Sequence, residues 1–173
     1  GFEHQMRFSW KDIDRIKTYC DLPIIIKGIA TKEDAILAVE HGVEVIYVSN
    51  HGGRQLDFGL GGLKVLPEIV DAVGKDATIF FDGGIMRGTD VIKALSLGAD
   101  VVGIGRLQGL AAAAGGSKAI YRMLELLELE IITCLRLLGV NDITDLNSDI
   151  LTKDDSFGTL DALSAFPLIN EGY

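Results

Sequence analysis

A chain of 173 residues, 48% of them hydrophobic, carries enough apolar material for one globular domain with a real core and is not a disordered segment. Sixteen Lys and Arg against 25 Asp and Glu give a net charge of −9, which argues against a nucleic-acid backbone or an anionic membrane as the main partner. No apolar run approaches the roughly 18 residues that cross a bilayer. No signal peptide opens the chain, and Cys20 and Cys134 lack metal spacing, so the expectation is a cytoplasmic protein with two reduced thiols.

Ser9-Trp10-Lys11-Asp12 is predicted to open a helix with Ile13, Ile16 and Tyr19 on one face. A strand over 22–27 is ended by Gly28. Thr31 and Asp34 then form the ends of a capping box, and the following helix stops at Gly42. A second strand over 45–49 leads into a glycine-rich loop and a helix over about 63–73. The third strand, 78–81, is closed by Asp82-Gly83-Gly84, and the next helix starts at Thr89 and ends at Gly98. The fourth strand, 101–104, is closed by Gly105-Arg106. A longer helix over about 118–138 carries Ile120, Leu124, Leu127, Ile131, Cys134, Leu135 and Leu138 at helical period. The tail, 152–173, is weakly periodic and is expected to order only against a partner surface.

The strands are continuous apolar runs, which mark a parallel sheet covered on both faces. They recur about 23 to 33 residues apart, the spacing of repeated βα units. The expected fold is therefore α/β, with residues 1–151 supplying four βα units, strands 5–8 of a (β/α)8 TIM barrel, plus a C-terminal helix. A complete barrel takes about 250 residues, so the chain is expected to be the carboxyl-terminal half of a larger protein. The alternative is an open doubly wound sheet, but no Gly-x-Gly-x-x-Gly follows the first strand and no Walker-type glycine loop occurs.

Chemistry-bearing residues stand at all four strand ends. His51 and Arg54 follow the second strand, a histidine able to take a proton near neutral pH and an arginine able to grip a carboxylate with two hydrogen bonds. A base beside a carboxylate clamp suggests an enzyme acting on a small organic acid. Lys27, Ser49, Asp82-Gly83-Gly84 and Gly105-Arg106 complete the set. Singly, each also reads as a solvated strand end, a tight turn or a surface charge. Together, on a barrel, they converge on one rim. Gly83-Gly84 and Gly105-Arg106 suit a phosphate group, because glycine lets backbone N–H groups approach an anion and barrels bind phosphate after strands seven and eight.

Four segments make the pattern specific: Leu-Pro-Ile-Ile-Ile-Lys-Gly at 22–28, Val-Ser-Asn-His-Gly-Gly-Arg-Gln-Leu-Asp at 48–57, Asp-Gly-Gly-Ile-Met-Arg-Gly-Thr-Asp at 82–90 and Gly-Ile-Gly-Arg at 103–106. In order and spacing the chain resembles the carboxyl-terminal half of the FMN-dependent 2-hydroxy-acid oxidising family, which includes glycolate oxidase, lactate oxidase and mandelate dehydrogenase. The resemblance covers roughly residues 8–150. It implies oxidation of an (S)-2-hydroxy acid to the 2-oxo acid, with His51 as base and Arg54 as carboxylate clamp. The proton leaves either carbon, by a carbanion route, or oxygen, with hydride transfer. It further implies that Lys27 lies at the N1–C2=O edge of the flavin, that Ser49 hydrogen-bonds the ring, and that Asp82, Gly83, Gly84, Gly105 and Arg106 surround the ribityl chain and phosphate. The aspartate partner of the base, a second carboxylate-binding arginine and a substrate-contacting tyrosine belong to the other half of the family's barrel and are not assigned in this chain.

Two other readings compete: a non-catalytic half-barrel that binds FMN or another phosphate-bearing ligand, and a structural half that pairs with a copy of itself or with the missing half. An open half-barrel exposes strand edges and an apolar interior, so a free monomer is not expected. Inosine monophosphate dehydrogenases and type 2 isopentenyl diphosphate isomerases share the glycine and Gly-Arg phosphate signals, but neither explains His51 with Arg54.

The family pattern has Asp-Gly-Gly-x-Arg-Arg-Gly where this chain has Met86 at the first arginine. One ionic contact to the phosphate is thereby removed, and a charged hydrogen bond is worth roughly 10- to 100-fold in affinity. Met86→Arg is expected to tighten FMN binding by about that factor. Equal affinity of the two proteins in an FMN titration would refute this.

Overall fold

The computed structural model describes residues 7–56 and 58–152, so the expected tail lies outside the described residues except for Thr152. The chain runs α1 (Trp10–Lys17), β1 (Ile25–Ile29), α2 (Lys32–Glu40), β2 (Val45–Val48), α3 (Gly62–Val73), β3 (Thr78–Asp82), α4 (Gly88–Ser96), β4 (Val101–Gly103) and α5 (Arg106–Leu138). The four strands form one sheet in the order β1-β2-β3-β4 and every neighbouring pair is parallel. The fold is α/β, four successive βα units making part of a barrel.

Register places Ile46, Val48, Ile79 and Phe81 on one face, where α2, α3 and α4 bury them against Ala35, Ala38, Leu66 and Ile69. The other face carries Ile25, Lys27, Val45, Tyr47, Phe80 and Val101. Ile25 is 51% and Val101 43% exposed, so among the described residues only one face is covered, not two. The continuous apolar strands record a second apolar face whose cover lies outside these residues.

Local signals act largely as the sequence indicates, with four corrections. β1 begins at Ile25, the Ile24 N–H before it being given to Glu44 Oε2 at 2.8 Å, and it runs on to Ile29 through an irregularity between Lys27 and Ile29. Thr31 caps α2 by accepting the Asp34 N–H at 3.2 Å. Ile16 and Tyr19 do not join the core. α1 ends at Lys17, where the Thr18 hydroxyl donates to the Arg15 carbonyl at 2.7 Å, and Tyr19 beyond it is 84% exposed. The expected helix over 118–138 forms, but a further helical segment from Arg106 precedes it, the two meeting at Gly115 and Gly116 with non-helical backbone. The earlier segment is rich in alanine, a helix former without a periodic signature. The expected stripe is only partly buried: Leu127 is in the interior with Met123, whereas Leu124 and Leu138 are exposed.

α5 is pinned to α4 by Glu130. Its carboxylate takes Arg87 Nε at 2.8 Å and Nη2 at 2.6 Å on one oxygen and the Gly88 N–H at 2.7 Å on the other. A side chain at Gly88 would lie 2.7 Å from the Ile131 backbone nitrogen, so the helices touch backbone to backbone there. The Arg87 side chain, and after it the Gly88 N–H, hold the Glu130 carboxyl below the ordinary glutamate range. A depressed carboxyl stabilises the fold above its unfolded-state pKa, and that contribution is lost as pH falls through the folded-state value. Glu130→Gln is expected to lower the urea midpoint at pH 7, with the gap to the parent closing as the pH falls below the ordinary glutamate range. A gap independent of pH would refute the ion-pair account.

Candidate functional site

The residues singled out in the sequence lie toward the carboxyl ends of the strands, in the loops that follow or, for Arg106, at the start of the next helix. Lys27 is on β1, Ser49 follows β2, Asp82 ends β3, and Gly105 caps α5 after β4. The Lys27 ammonium donates to Ser49 Oγ at 2.9 Å and pairs with Asp82 Oδ2 at 2.9 Å. It also lies 4.9 Å from the centre of the Tyr47 ring. Ser49 is buried, and its oxygen accepts both from Lys27 and from the His51 N–H at 3.2 Å. Both lone pairs are then used, which leaves the hydroxyl hydrogen to be given to a ligand.

His51 opens a short 3-10 turn, His51–Gly53, and adopts φ 54°. Left-handed backbone is costly for a residue with a β-carbon and persists where neighbours enforce it. Asn50 does so here. Its Oδ1 accepts the Gly53 N–H at 3.2 Å and its Nδ2 donates to the Leu60 carbonyl at 3.2 Å, closing the loop from both ends. The imidazole packs over Gly28, where a methyl would lie 2.9 Å from His51 Cε1. Gly28 itself has φ +105°, so both its backbone and its missing side chain are needed. Arg54 follows the turn, exposed.

The phosphate candidates form a second group. Gly83 and Gly84 both have positive φ, 121° and 73°, the kind of backbone that opens N–H groups to an anion. Gly105 and Arg106 stand at the N-terminus of α5, where unpaired N–H groups and the helix dipole favour negative charge. The Arg106 guanidinium lies over Gly52, about 3.5 Å from where a methyl there would sit, so this cation borders the His51 loop. Among the described residues neither Arg54 nor Arg106 forms an ion pair with an acid.

Met86 adds nothing to this group. Its N–H is given to Asp90 Oδ2 at 3.1 Å. Its side chain lines an apolar cavity of about 410 Å³ with Leu107, Leu110, Met123 and Leu127. Arg87 is committed to Glu130. Asn50, Tyr47 and Glu130 were not assigned a role from the sequence. An Asx residue before a glycine pair is a turn signal that could have found Asn50. Tyr47 and Glu130 are defined only by partners distant in the chain. No cluster of metal-ligating side chains occurs among the described residues.

Residues 2–153 match the family model of the FMN-dependent dehydrogenases. The chain belongs to that family. It is 46% identical over 148 residues to an L-lactate dehydrogenase (cytochrome) of Wickerhamomyces anomalus, covering 83% of this chain and 26% of the relative. It is 44% identical over 145 residues to an L-lactate oxidase of Nostoc sp., covering 83% of this chain and 39% of the relative. A flavocytochrome b2 variant solved with pyruvate bound superposes with a TM-score of 0.81 at 40% identity, over 96% of this chain and 44% of that one. This member of the FMN-dependent dehydrogenases thus spans well under half the length of the relatives it matches.

The geometry makes Asn50 the support of the histidine loop. Asn50→Ala is expected to raise hydrogen exchange across residues 51–60 while costing about 1–2 kcal/mol of global stability, as for loss of a cap. Unchanged exchange in that loop would refute the assignment.

Proposed function

We propose that this chain supplies the base, the carboxylate clamp and the phosphate cradle of an enzyme that oxidises an (S)-2-hydroxy acid to the 2-oxo acid with FMN. The observation that carries the reading is His51, held in left-handed backbone with its ring packed over Gly28, beside Lys27. Strain of this kind is expected where a side chain must be aimed rather than merely accommodated.

The residues present fit FMN. Backbone N–H groups at Gly83, Gly84 and the Gly105–Arg106 helix start can receive its phosphate, with Arg106 adding charge. Asp82 can accept from the ribityl hydroxyls, Ser49 can donate its free O–H to the ring, and Lys27 brings a cation to the ring's N1–C2=O edge. When bound, FMN supplies the electron acceptor.

Arg54 grips the substrate carboxylate through its planar fork and so fixes the hydroxyl-bearing carbon relative to His51. The His51 imidazole takes the proton released in the oxidation, which a neutral ring can do near pH 7. The uncovered apolar face, with Ile25 and Val101 exposed and Val45 and Phe80 half-buried between them, and the free edges of β1 and β4 support pairing with the remaining barrel half, which would complete the site, or with a second copy. The second reading, a half-barrel that binds FMN or phosphate without turnover, draws on the same open face. In that case activity depends on the covering partner.

The FMN-loaded protein is expected to show flavin bands that bleach anaerobically with L-lactate, glycolate or (S)-mandelate. His51→Gln is expected to slow bleaching by roughly 10²- to 10⁴-fold while retaining FMN. A protein that takes up no FMN, or a His51→Gln variant that bleaches at the parent rate, would overturn the reading.

A further inference from the structure

We propose that Tyr47 is a positioning residue of the flavin site: its ring supports the Lys27 ammonium and its hydroxyl end, seated in the clearance at Gly103, lies beside Asp82, so that the middle strand fixes two charges carried by the strands on either side of it. The inference rests on the assignment of Lys27 and Asp82 to FMN made above.

Register is the first argument. Lys27 on β1, Tyr47 on β2 and Phe80 on β3 are direct partners across the sheet, all on the uncovered face. Asp82 stands two residues beyond Phe80, on the same face and one level nearer the strand ends. Tyr47 is long enough to reach up that step. Its ring meets Phe80 edge-on at 5.6 Å and 72°, which sets its plane. The Lys27 Nζ then lies 4.9 Å from the ring centre, within reach of a cation–π interaction. An aliphatic residue at 47 would fill part of the space and hold neither charge.

The second argument is the far end of the ring. Burial, followed by the charge of the nearby Asp82 carboxylate and hydrogen bonding to it, pushes the phenol pKa up. The hydroxyl also lies against Gly103 of β4, where an added methyl would collide with it and would sit 3.3 Å from Asp82 Cβ. Gly103 is therefore the clearance that lets Tyr47 reach Asp82. Without Tyr47, the Lys27–Asp82 pair spans two strands with Ser49 as its one further support.

The test compares the FMN-loaded parent with Tyr47→Leu and Tyr47→Phe by the midpoint potential of the bound flavin. Tyr47→Leu is expected to lower it by about 30 mV, the equivalent of a tenfold loss in a two-electron couple. Tyr47→Phe, which keeps the ring under Lys27, is expected to shift by less than a third of that. Equal shifts in the two variants, or none in Tyr47→Leu, overturn the proposal. If Tyr47→Leu does not fold, Tyr47→Met takes its place, with the same expected shift and the same overturning outcomes. A parent that takes up no FMN overturns the proposed function itself, an outcome separate from either of these.

Discussion

The site is organised by a single cation. The Lys27 ammonium touches a hydroxyl from the end of β2, a carboxylate from the end of β3 and an aromatic ring from within β2. Its partners thus come from two neighbouring strands, and the contacts exist only because the parallel ladder brings Lys27, Tyr47 and Phe80 into line. Ser49 passes the constraint onward. The oxygen that accepts from Lys27 also accepts the His51 N–H, so the ammonium, the hydroxyl and the histidine loop form one hydrogen-bonded chain. A slip of one residue would turn Lys27 to the helix-covered face and dismantle all of it.

Support and chemistry occupy different sides of the sheet. Ile46, Val48, Ile79 and Phe81 lock the strands against α2, α3 and α4, and this packing provides the rigidity that holds His51 in an unfavourable backbone conformation. The opposite face carries the proposed cofactor contacts and remains open among the described residues. An exposed apolar sheet face with free edges is a surface for association, and the relatives this chain matches are more than twice its length.

The phosphate end departs from the family pattern in a coherent way. Met86 turns into an apolar cavity beneath the first turn of α5, its N–H goes to Asp90, and the neighbouring Arg87 is spent on Glu130. One arginine is thus replaced by packing and the other anchors the C-terminal helix. Arg106, with the opening turn of α5, is the cation left to the proposed phosphate site in this region.

Much of this was legible in the chain itself. Apolar runs closed by glycine marked the four strands, Thr31 marked its helix start, and the motif from Ser49 to Arg54 marked the loop that carries the proposed base and clamp. Those features are local, fixed by backbone preferences and side-chain type over a few residues. Asn50 was half-visible, as an Asx residue before two glycines. The helix from Arg106 to Ala114 was missed because a run of alanine has propensity but no periodicity. Tyr47 read only as one more apolar strand residue, and Glu130 as a charge on a helix surface. Their roles depend on partners more than 30 residues away in sequence, Asp82 and Arg87, brought close by strand register and helix packing. By itself the sequence determined which elements form and which chemistry their ends carry. Only the tertiary structure decided which of those groups touch, because contact depends on register and packing between strands and helices far apart in the chain.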